Sequence, residues 1–88
     1  MRRYIKTVNP VLIREEALSQ VEYGRTWSEI AIAAGYEWGG RADTTALKRR
    51  LGIMPNNRPK RTYSDRMHYN VAVRIVRALG YDPVDFKL

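Results

Sequence analysis

Four stretches of the chain repeat apolar residues three and four positions apart, the spacing that lines one face of a helix, and each is bounded by residues that start or stop helices. The first follows Asn9-Pro10, a capping residue and then a proline at the first helical position, where its missing N–H costs nothing. Val11, Ala17, Leu18 and Val21 fall on one side, Arg14, Glu15 and Glu22 on others, and Gly24 supplies the stop. The second opens on Thr26-x-x-Glu29, a capping box in which the threonine oxygen and the glutamate each satisfy a backbone N–H. Trp27, Ile30, Ala31 and Ala34 form its stripe, the small alanines allowing a neighbouring helix to come close, and Gly35 ends it.

A third helix is expected from Asp43, or a neighbour acting as cap, to a stop at Gly52, with Leu47 and Leu51 turned inward. Tyr36 to Gly40 connect it to the second. Trp38 in that connection is expected to cap the junction of the two helices, contact with a partner being the alternative. Residues 54–63, "MPNNRPKRTY", hold two prolines and two asparagines and read as a basic loop or a short hairpin. Ser64 caps a fourth helix reaching Leu79, with Ala72, Ile75, Val76 and Leu79 inside, Arg74 and Arg77 outside, and Gly80 as its stop. His68, early in this helix, reads as a partly buried structural residue, since one histidine without cysteines makes a poor metal site. Asp82-Pro83 repeats the cap-plus-proline signal and predicts one further turn at 84–86, with Phe86 over the core. The expected fold is all-α: a compact bundle of four to five helices containing a helix-turn-helix, with residues 1–88 as one domain.

Composition agrees with that size. Eighty-eight residues sustain one core, and without cysteine its stability rests on packing a hydrophobic fraction of 44%. The longest apolar run, Ile30 to Ala34, falls far short of the roughly 20 residues that span a bilayer. No apolar segment follows "MRRY", because Lys6, Asn9 and Pro10 interrupt it, so a soluble cytoplasmic protein is expected rather than a secreted one.

Charge changes the picture more. The net charge is +7, and eight basic residues between Arg41 and Arg66 face only Asp43 and Asp65. Arg2, Arg3 and Lys6 add a basic arm over residues 1–8. Such concentration points to a polyanion, and for a small cytosolic domain to nucleic acid before an anionic membrane. A solubilising surface is the plain alternative, and any single cation is ordinarily just solvated. Catalysis finds no support: Glu15 and Glu16 diverge by about 100° on a helix, and no nucleophile triad, phosphate-cradling glycine loop or metal motif is present. The reading is a binding protein, not an enzyme, with no cofactor, no metal and no small-molecule substrate.

"WSEIAIAAGY", "TTALKRRLGI" and "VAVRIVRALGYDPVDF" resemble the Cro and repressor type of helix-turn-helix domain, and more closely the small helix-turn-helix proteins of actinobacterial phages. The resemblance covers most of the chain from Arg25 onward, and "EWGGRAD" is several residues longer than the family's tight turn. It implies a recognition helix over residues 43–51 with Thr44, Thr45, Lys48 and Arg49 as base-reading candidates and Arg41 at its entrance. Arg and Lys suit guanine O6 and N7, while threonine offers a hydroxyl and a methyl. Arg25, Thr26, Ser28, Arg58, Lys60, Arg61, Arg2 and Arg3 are the phosphate candidates. The expected partner is double-stranded DNA, and the expected role a phage or prophage transcriptional regulator. An excision or packaging factor, or a phage protein that inhibits a host protein through Tyr36, Trp38 and the basic loop, are the alternatives. Monomer and homodimer both stay open, Phe86 and Leu88 suiting either a dimer patch or closure of the core.

Overall fold

The computed structural model describes residues 10–54, 56–59 and 67–82. Among these lie four helices, α1 (Pro10–Glu22), α2 (Trp27–Ala33), α3 (Thr44–Leu51) and α4 (Tyr69–Ala78), and two short strands, β1 (Glu37–Trp38) and β2 (Arg41–Ala42). The expected basic arm, Asn9 cap and turn at 84–86 lie outside the described residues, as does Ser64 itself, but the start of α4 at Tyr69 corrects the expectation that the helix begins at a Ser64 cap. None of the described helices is long and apolar enough to cross a membrane.

The strands correct the all-α expectation. Between α2 and α3 the chain forms an antiparallel hairpin with Glu37 opposite Ala42 and Trp38 opposite Arg41. Gly39 and Gly40 make the reversal at φ 56° and 80°. Positive φ at both central residues is what a two-residue type I′ hairpin turn requires, and the twist of that turn matches the strands it joins. The Asp43 N–H donates to the Tyr36 carbonyl at 2.8 Å and closes the hairpin at its base.

The helices form for the local reasons their sequences give. On α2 the capping box is complete: Thr26 Oγ1 accepts from the Glu29 N–H, and Glu29 Oε1 accepts from the Thr26 N–H, both at 3.1 Å. Asp43 caps α3 by accepting from the Ala46 N–H at 3.0 Å. α4 begins at Tyr69, and its cap is His68, whose Nδ1 accepts from the Asn70 N–H at 3.2 Å. His68 is thus an exposed capping residue, not the partly buried one expected from its nearness to the apolar stripe. All four helices end alike, on Gly24, Gly35, Gly52 and Gly80 at positive φ, with N–H groups returning to carbonyls of the last turn.

The core gathers one face of each helix. α2 contributes Ile30, Ala31 and its cap Ala34, α3 Leu47 and Leu51, and α4 Ala72, Ile75, Val76, Ala78 and the following Leu79. In α1 the buried residues are Pro10, Ile13 and Ala17, with Leu18 and Val21 half-buried at the margin. The expected stripe there was rotated, because Val11-Leu12-Ile13 is apolar all round and leaves its phase undecided. Ile53 and Met67, outside any helix, complete the cluster. α2 lies centrally, packed on α4, α3 and β2, while α1 packs on α4 and α3.

Two polar side chains fix the arrangement from the side. Gln20 of α1 donates to the Leu79 carbonyl at 2.8 Å, tying α1 to the end of α4, and its amide oxygen accepts from Arg25 at 2.7 Å. Arg74 of α4 donates through Nε to the Ala34 carbonyl at 3.0 Å and stacks its guanidinium over the Tyr36 ring, 4.8 Å from the centroid. A cation at the carbonyl end of α2 complements that helix's dipole and holds Tyr36 at the base of the hairpin.

Candidate nucleic-acid interface

α3 is eight residues long, too short to be stable alone. It is held by Leu47 and Leu51, both fully buried, by the Asp43 cap, and by Lys48, whose Nζ lies 5.3 Å above the Trp27 ring of α2. A helix held along Leu47 and Leu51 presents the opposite rows. Thr45 and Arg49, four residues apart and exposed, form one such row, and exposed Arg50 flanks it beyond half-buried Ala46. Arg49 and Arg50 stand in the last turn, where positive charge also suits the helix dipole.

This geometry divides the five base-reading candidates. Thr45 and Arg49 share the exposed row, while Thr44 is half-buried in the first turn. Lys48 is half-buried and engaged with Trp27, so its first role is to hold α3 against α2. Arg41 is not on the helix: it lies on β2, exposed, directly across from Trp38. Trp38 is 84% exposed at the hairpin tip, which corrects the expectation that it caps the junction of α2 and α3. A two-residue strand carries its side chains to alternate faces, and Ala42 uses the face that packs on α2. Arg50 was overlooked in the sequence, although it adjoins Lys48 and Arg49 in the same charged run.

The phosphate candidates divide as well. Arg58 is exposed on a turn in which Ile53 bridges to Pro59 and the Met54 N–H donates to the Arg58 carbonyl at 2.7 Å. The described part of the basic loop therefore takes the hairpin form, with Asn57 at φ 65°. Arg25 is half-buried and bonded to Gln20. Ser28 is exposed, but the Thr26 hydroxyl is taken up by its own capping box, donating to Glu29 Oε1 at 3.0 Å. Asp43 occupies the start of α3 in the same way. With carboxylates at both N-termini, an incoming phosphate meets negative charge there, and arginine side chains become the better phosphate contacts. Lys60, Arg61, Arg2 and Arg3 lie outside the described residues.

Set beside protein-family models, characterised proteins and solved structures, the chain matches none of them.

Proposed function

We propose that this protein binds double-stranded DNA in a sequence-dependent way, laying α3 in the major groove with Thr45 and Arg49 toward the base edges and Arg50 and Arg58 toward the backbone. The observation that carries this reading is the outward row of α3, hydroxyl and guanidinium on one side of a helix whose other side is buried through Leu47 and Leu51. A major groove about 12 Å wide admits one helix, and arginine pairs with guanine through two hydrogen bonds. The clustering of eight cations between Arg41 and Arg66 supplies the sequence-independent part of the attraction. The regulatory role, that of a phage-type repressor or Cro-like switch acting in the bacterial cytoplasm, rests on the resemblance of "WSEIAIAAGY" and "TTALKRRLGI" to that family.

Selection of bound duplexes from a random-sequence pool, followed by titration of the selected duplex at several salt concentrations, tests the reading. If six to eight cations meet phosphates, log K falls with log salt at a slope of about −5 to −7. A flat salt response, or a pool that never converges on a sequence, refutes it.

A further inference from the structure

We infer that the hairpin tip is a second DNA contact, with Trp38 packed against the sugar wall of the minor groove next to the α3 site and Arg41 reaching into that groove. The inference rests on the DNA-binding reading above and extends it from α3 to the hairpin that precedes it. Trp38 is 84% exposed in a two-residue strand, and its ring does nothing for the core. Its cross-strand partner is Arg41, also exposed, so the pleat puts an indole and a guanidinium side by side on one face. The opposite face of β2 is used by Ala42, half-buried where β2 packs on α2. The tip is thus braced from behind and offers an aromatic surface and a cation forward.

Position favours the minor groove. Arg41 precedes Thr45 by four residues, a chain reach of at most about 14 Å. A helix seated in the major groove has one phosphate strand beside it and then a minor groove about 6 Å wide, within that reach. Arginine is drawn into a narrow minor groove by its strong negative potential, and apolar side chains are used there against sugars and between base steps.

The test uses the full chain and an A·T-rich 24-base-pair duplex labelled at one end, with Trp38→Ala, Trp38→Phe and Arg41→Ala variants checked for unchanged thermal midpoints. Subtracting the Trp38→Phe signal from wild type isolates Trp38 emission from that of Trp27. The expected result is that duplex protects Trp38 from acrylamide and that Trp38→Ala binds about ten- to thirtyfold more weakly with the salt slope unchanged. Arg41→Ala reduces the slope by about 0.9, because it removes a cation and not an apolar contact. Netropsin, which fills the A·T minor groove, abolishes the protection. Equal binding by wild type and Trp38→Ala, with Trp38 still quenched in the complex, overturns the hairpin contact and leaves the α3 reading standing. Protection that survives netropsin overturns the groove assignment. No binding of any duplex by the wild type at low salt overturns both readings, and protection of Trp38 by a protein partner alone then assigns the tip to that partner.

Discussion

Replacing Gly35 by alanine tests the junction that aims the hairpin and α3. Gly35 sits at φ 83°, and a Cβ added there would lie 2.8 Å from Nη2 of Arg74. Two costs add. The left-handed conformation costs a non-glycine residue about 1–2 kcal/mol whatever surrounds it. Moving Arg74 away sacrifices its bond to the Ala34 carbonyl and its stacking on Tyr36, worth about 0.5–1.5 kcal/mol together once solvent screening of an exposed arginine is allowed for. Gly35→Ala is therefore expected to destabilise by about 1.5–3.5 kcal/mol, a large share of the roughly 4–13 kcal/mol typical for a chain of this length, and to lower Tm by on the order of 10 °C. The decisive measurement is a double-mutant cycle in urea. In the Arg74→Ala background only the backbone cost of about 1–2 kcal/mol is left, so the two substitutions couple by about 0.5–1.5 kcal/mol. Coupling near zero would show that Arg74 does not hold the end of α2, and the account of how the hairpin is braced would fall with it.

Lys48 and Arg49 are neighbours in sequence with different expected phenotypes. Lys48→Ala is expected to cost about 0.5–1 kcal/mol of stability by removing the cation from the Trp27 ring, whereas Arg49→Ala leaves urea stability within about 0.5 kcal/mol and weakens the selected duplex about five- to hundredfold. The reverse pattern would mean that α3 is rotated relative to its described packing. Tyr36→Phe removes a buried hydroxyl that has no hydrogen-bond partner while keeping the ring under Arg74, so stability is expected to hold or to rise by up to about 1 kcal/mol. A loss above 1 kcal/mol in the same urea assay would mean that the hydroxyl is satisfied in solution.

What the sequence made legible was whatever depends on neighbours within a turn or two. The Thr26/Glu29 box, the Asp43 cap, the glycine stops and the stripes of α2, α3 and α4 are of this kind, and each holds. The hairpin was less legible because its strands are two residues each, too short for an alternating pattern to stand out, although Gly39-Gly40 is itself a hairpin-turn signal. Placements set by tertiary contact were not legible at all. Nothing local says that Lys48 lies over Trp27, that Gln20 bonds to Leu79, or that Ile53 and Met67 join the core from outside the helices. The exposed row of Thr45 and Arg49 was therefore legible as a helix face, whereas the pairing of Trp38 with Arg41 across a hairpin was not.

The hairpin between α2 and α3 bears on how α3 can work. A longer connection between two helices ordinarily loosens the second, since loop closure costs entropy that grows with length. Here the added residues pair with one another, the Asp43 N–H returns to the Tyr36 carbonyl, and Asp43 is at the same time the cap of α3. The far end of α3 is held too, by buried Leu51 and Ile53 and by the Ile53–Pro59 bridge just beyond. A helix fixed at both ends loses little further freedom on meeting a partner, and association then escapes much of the ordering cost that a mobile element would bear. The hairpin thus joins α2 to α3 without freeing α3, and it makes the position of the Trp38–Arg41 tip a consequence of the position of α3.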